Sequence, residues 1–121
     1  MWVKLDDQMP NDPEVDALSD GAFRLYVTAI CYCQAELTDG YVTTAKLRRI
    51  VPNYKPTYLR ELSKPSEHPD GPLLAAVGEG YMIRNFTKYN QTRDHWRQKR
   101  ASDAARMAEW REKKDAERRA S

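Results

Sequence analysis

Six basic side chains fall between Lys46 and Lys64, namely Lys46, Arg48, Arg49, Lys55, Arg60 and Lys64, against a single acid, Glu61. Tyr54, Thr57 and Tyr58 are interleaved with them. Ammonium and guanidinium groups at this density suit the gripping of phosphates, and arginine in particular suits the reading of base edges. A charge run is more often only a solvated helix face. The elements that carry the run must decide between these two readings.

No other constellation suggests chemistry. Gly-x-Ser-x-Gly, a Gly-rich phosphate loop and His-Glu-x-x-His are all missing. Cys31 and Cys33 lie two apart in a helical pattern, so they point about 200° apart around the axis and cannot bridge. With only His68 and His95 elsewhere, their spacing is also poor for zinc. Asp6, Asp7, Asp12 and Asp16 have no spacing that resembles a calcium loop. The chain is therefore expected to be non-enzymatic, with no cofactor and no metal.

The positioning elements follow in a definite order. Ser19 is a good N-cap, and Asp20 puts negative charge where the helix dipole favours it. From there Phe23, Tyr26, Val27, Ile30, Cys31 and Leu37 recur at three- and four-residue spacing, which predicts a core helix from Ser19 to about Leu37. Asp39-Gly40 is turn chemistry, and Tyr41-Val42 reads as a short strand that must pair with others. Two short helices follow at Thr44–Ile50, capped by Thr43 or Thr44, and Pro56–Ser63, with Pro56 at its first position. On the second of these Leu59 and Leu62 face inward, while Thr57, Arg60, Glu61 and Lys64 face outward. After a Pro-rich loop, Leu73–Val77 and Tyr81–Asn85 form a hairpin around Gly78-Glu79-Gly80.

The expected fold is mainly α with a small antiparallel β wing: a winged helix-turn-helix over residues 1–90, then a basic C-terminal helix over 91–121. Thr92 would cap that last helix, which would run to about Arg118 and fray beyond Trp110. From Asn90 onward the only large apolar side chains are Trp96, Met107 and Trp110. They lie near one another on the helical wheel and are candidates to fasten the helix to the body or to a second chain.

At 121 residues, 40% hydrophobic and 31% charged, the chain suits one modest domain with an appendage. The net charge of +2 conceals its distribution. Residues 1–92 carry ten Lys and Arg against twelve Asp and Glu, whereas 93–121 carry ten against six. No signal peptide is recognisable, and the longest apolar stretch, Leu25 to Cys33, is far short of the ~20 residues that a membrane span requires. A cytoplasmic protein is expected.

Trp2-Val3-Lys4-Leu5-Asp6-Asp7, Ala22-Phe23-Arg24-Leu25, Cys31-Tyr32-Cys33 and Leu37-Thr38-Asp39-Gly40-Tyr41-Val42 resemble the opening of small winged-helix proteins of actinobacteria and their phages. Gly80-Tyr81-Met82-Ile83 and Tyr89-Asn90-Gln91-Thr92-Arg93 resemble the wing and post-wing helix of the same group. That group is similar to the N-terminal domain of DnaD-like and phage replisome-organiser proteins. The resemblance covers about Trp2 to Arg100 and implies DNA binding in replication initiation or transcriptional control. The Pro-rich segment Ser63–Pro72 departs from it and leaves the register of the next strand open.

On this reading Arg60 and Lys64 contact base edges of double-stranded DNA, with Thr57 and Tyr58 beside them. Lys46, Arg48, Arg49 and Lys55 hold phosphates, and Arg84 and Lys88 are wing contacts. The rival reading is a protein-docking module that binds a partner or a second copy through Trp96, Met107 and Trp110.

Overall fold

The computed structural model describes residues 2–90 and 92–120. Two compact units are present, Met1–Gln91 and Thr92–Ser121. Gln91, where the expected boundary falls, lies outside the described residues.

The first unit is built on helix α2, Asp20–Glu36. Its N-cap is Ser19, whose side chain accepts from the Ala22 N–H. The buried stripe of α2 is Ala22, Leu25, Tyr26, Ala29, Ile30 and Cys33, a clean helical period. This stripe is rotated from the expected one. Phe23 and Cys31 are exposed, and two alanines replace them at the core. Alanine carries little hydrophobic signal in a sequence, yet it lets a neighbouring backbone come close.

Helix α1, Pro13–Asp16, precedes α2, and a single 3-10 turn, Met9–Asn11, precedes α1. Ahead of that turn the chain is an arm without regular secondary structure. Asn90 clasps this arm with two bonds, accepting from the Lys4 N–H at 2.7 Å and donating to the Lys4 carbonyl at 3.2 Å.

After α2 the chain turns through Asp39 and Gly40, both at positive φ, into strand β1, Tyr41–Thr43. Thr43 caps helix α3, Thr44–Leu47, by accepting from the Lys46 N–H. The helix is shorter than expected. Arg49 N–H already bonds back three residues to Lys46, and Pro52 disfavours helical backbone at the residue before it. Helix α4, Pro56–Leu62, begins with Pro56 after an extended Lys55, and buries Leu59 and Leu62 against α2.

Strands β2, Leu74–Val77, and β3, Gly80–Ile83, form an antiparallel hairpin with Val77 opposite Gly80. Its loop is two residues, with Gly78 at positive φ in the first of them, where a type II′ turn favours glycine. Strand β1 pairs on the other side of β3, so the sheet order is β1-β3-β2. Gly80 is required there, because a Cβ would lie 2.3 Å from the Val42 carbonyl oxygen. The register after the Pro-rich loop is therefore defined, with Leu74 opposite Ile83. β3 stops earlier than expected. Asn85, at positive φ, turns the chain into a further short helix, α5, Phe86–Tyr89, which buries Phe86.

The second unit is helix α6, Arg93–Ala120, of 28 residues. The Thr92 hydroxyl accepts from the His95 N–H at its start. The helix continues well past Trp110, where fraying is expected from the sequence, and none of its described residues is buried. Within the described residues no helix is long and apolar enough to cross a membrane.

Candidate nucleic-acid interface

Helix α4 is placed by its two faces. Leu59 and Leu62 turn to α2, and Thr57 and Arg60 are exposed; Lys64, expected on the same face, is exposed but lies past the helix end, because α4 stops at Leu62. Glu61 does not join the outward face. Its carboxylate is turned to the first residue of the α2 cap, accepting from the Ser19 N–H at 2.8 Å and from the Ser19 hydroxyl at 2.7 Å. The acid nearest the basic residues is thereby occupied within the fold. Tyr58 is also drawn back. It is half-buried, and its ring lies so close to Gly21 that a Cβ there would fall 2.1 Å from the ring.

Lys46, Arg48, Arg49 and Lys55, on and after α3, are all exposed. The Lys46 ammonium sits 5.1 Å from the centre of the Tyr32 ring, which holds its charge beside α2. Arg48 and Arg60 both line a shallow cleft of about 390 Å³, together with Tyr54, Pro56, Leu59, Ser63 and Tyr81. The sequence gives Tyr81 only a weak signal as a cleft residue, an aromatic directly after the Gly80 that lets β1 approach.

Arg84 is a correction. The expected wing contact has only 6% of its side chain exposed. Its Nε donates to the Gly71 carbonyl at 2.8 Å, and one terminal nitrogen donates to Glu14 at 2.8 Å. Asp12 lies 3.7 Å from the other. One guanidinium thus ties α1, the Pro-rich loop and the end of β3 together, and is not presented to a partner. Lys88 is exposed, but on α5 rather than on the hairpin, with its ammonium 5.7 Å from the Tyr89 ring centre. The hairpin tip is fixed: the Glu79 carbonyl accepts from both the N–H and the hydroxyl of Thr44, each at 3.1 Å.

A larger cleft of about 640 Å³ runs between the N-terminal arm, α2 and the β3–α5 segment. Its polar lining is engaged internally, Arg84 with Glu14 and Asn90 with Lys4. Hydrogen bonding from the Ser66 hydroxyl, and then the Arg84 guanidinium, hold the Glu14 carboxyl below its ordinary value. Burial pushes the Tyr26 phenol up to about 12. Burial likewise raises the Cys33 thiol, and both cysteines are free. Among the described residues no group of three or more His, Cys, Asp or Glu is placed to hold a metal ion.

Trp96, Met107 and Trp110 all lie on α6, and Met107 and Trp110 are 50% and 56% exposed. In comparisons with protein-family models, curated proteins and solved structures, nothing matches this chain.

Proposed function

We propose that this chain is a winged helix-turn-helix protein that binds double-stranded DNA and acts by binding rather than catalysis. The order α2-β1-α3-α4-β2-β3, with β1 beside β3, supports the winged-helix reading. In it α4 is the recognition helix in the major groove and the α3 segment abuts the backbone. The observation that carries the proposal is the pairing of Glu61 with Ser19, which leaves Arg60 as the charged group on the exposed face of α4, with Lys64 exposed just past the helix end. Arg60 and Lys64 then reach base edges, and Lys46, Arg48, Arg49 and Lys55 hold phosphates. The resemblance to phage and actinobacterial winged-helix proteins suggests a role in replication initiation or transcriptional control.

The test is fluorescence anisotropy of the purified chain with a labelled generic duplex. The expected result is micromolar binding at low salt that weakens about a hundredfold between 50 and 200 mM salt, as four phosphate contacts require. Absence of binding at both salt concentrations would overturn the proposal.

A further inference from the structure

The charge on α6 is segregated. At 100° per residue, Arg93, Arg97, Arg100, Arg111, Lys114 and Arg118 fall within about a third of the circumference. Only two acids, Asp103 and Asp115, share that sector, and Asp103 is ion-paired with Arg106. The rest of the helix carries four bases and four acids, so the whole net charge of this segment lies on one face. Trp96 and Met107 lie in the same sector, and Trp110 lies about 20° beyond its edge. Each tryptophan of α6 has a lysine ammonium against its ring, Lys99 at 4.9 Å from the Trp96 centre and Lys114 at 5.8 Å from the Trp110 centre, with Lys114 also 3.7 Å from the Glu117 carboxylate, which a phosphate would displace.

We propose that this face of α6 binds single-stranded nucleic acid, with a base stacked on the Trp110 indole and phosphates on the neighbouring arginines and lysines. Trp96 is half-buried with its indole nitrogen covered, so the exposed Trp110 is the stacking platform. The charge complementarity calls for a polyanion, and the rings decide which kind. In a duplex the bases are stacked inside and cannot lie flat on an indole. In a single strand every base has a free face, and a base on Trp110 brings its own phosphate beside Lys114. An anionic bilayer fits poorly, because α6 contains no Leu, Ile, Val or Phe to enter the acyl boundary. A paired second copy fits poorly too, because its seam would set Arg100 and Lys114 against like charges.

This binding is separate from the duplex contacts proposed for α4, and one experiment distinguishes them. The full chain carrying Trp2→Phe emits only from Trp96 and Trp110. It is titrated with oligothymidylate and oligouridylate of about 16 nucleotides, and in parallel with a duplex. Quenching of the indole emission by one or both single strands is expected. Trp110→Ala should weaken that binding roughly tenfold and leave duplex affinity within about twofold. Arg49→Ala, which removes a proposed phosphate contact, should weaken duplex binding and leave single-strand affinity within about twofold. Alanine is the better helix former, so loss of α6 does not confound the variant, and circular dichroism checks this. Unquenched emission, an unchanged single-strand affinity in Trp110→Ala, or equal losses for both forms would overturn the proposal. So would binding only to vesicles of anionic lipid, or self-association through α6.

Discussion

Both carboxylate oxygens of Glu61 are bound by Ser19, one by its N–H at 2.8 Å and the other by its hydroxyl at 2.7 Å. Ser19 in turn caps α2 through the Ala22 N–H at 3.2 Å. Two residues 42 positions apart in sequence therefore join α2 and α4 through one N-terminus. The negative carboxylate also lies where the α2 dipole favours it. The same contact removes an acid from the exposed face of α4, so a stabilising pair and a charge pattern have one cause.

Glu61→Ala should accordingly destabilise the fold by about 1 kcal/mol, since the lost bonds are charge-assisted but solvent-exposed. Glu61→Gln keeps one acceptor and should recover part of this. Urea unfolding of the three proteins checks the order. If Glu61→Ala unfolds at the wild-type midpoint, the contact contributes nothing.

Arg84 joins three segments, and its fork is what permits this. Arg84→Lys should cost about 2 kcal/mol, because an ammonium cannot serve Gly71, Glu14 and Asp12 together. The figure lies below that for a fully buried pair because both carboxylates are partly exposed. Thermal unfolding measures it, and a lysine variant as stable as wild type would mean that charge alone suffices.

The same cluster sets an acid limit. The folded Glu14 carboxyl lies below its ordinary value of 4.5, first through Ser66 and then through Arg84. A depressed carboxyl stabilises the fold above the unfolded value and loses that contribution as pH falls through the folded one. Stability should therefore decline below about pH 4.5, and less steeply in Glu14→Gln. Asp70, lowered chiefly by the Asn85 amide, adds a slope of the same sign at the same loop. Midpoints collected from pH 7 to 3 test this; identical slopes in Glu14→Gln and wild type would rule Glu14 out.

The parts of the fold that were legible in the sequence are those fixed by neighbours. Ser19, Thr92 and one of the Thr43/Thr44 pair (Thr43) cap their helices, Pro56 starts α4, and a hairpin turns at Gly78-Glu79-Gly80, although Gly80 itself belongs to β3. The exposure of Lys46, Arg48, Arg49, Lys55, Arg60 and Lys64 was legible for the same reason, since charge density is a local property. What misled was long-range. Arg84 looks like any strand-end cation until Glu14, 70 residues earlier, is brought beside it. Glu61 points outward on an isolated wheel and is turned only by Ser19. The alanines of α2 are silent in a hydrophobicity pattern, although they define its buried stripe.

Gly80→Ala should cost about 1–3 kcal/mol, towards the upper end. The added methyl would meet the Val42 carbonyl oxygen at 2.3 Å and the Thr43 Cα at 2.9 Å, both backbone atoms that cannot rotate away. β1 would have to withdraw from β3, and the bonds from Thr44 to the hairpin tip would loosen with it. Amide exchange at Thr44 reports that loosening directly. Unchanged protection in Gly80→Ala would mean that β1 is not seated as described.

Arg60 and Lys46 should differ in kind when each is replaced by alanine. Arg60 is exposed on α4 and shares its cleft with Arg48, Tyr54 and Tyr81. As a base reader it should lose about 1–3 kcal/mol on the preferred sequence and much less on others, so discrimination narrows. Lys46 has its ammonium parked over Tyr32, beside the backbone-facing segment. As a phosphate contact it should weaken all duplexes alike and reduce the salt slope by about one. Lys46 has a competing structural role, because the Tyr32 contact alone would lower the unfolding midpoint and leave the salt slope untouched. Measuring both quantities on Lys46→Ala separates the two. An Arg60→Ala protein that loses affinity equally on every sequence would move Arg60 from the base edges to the phosphates.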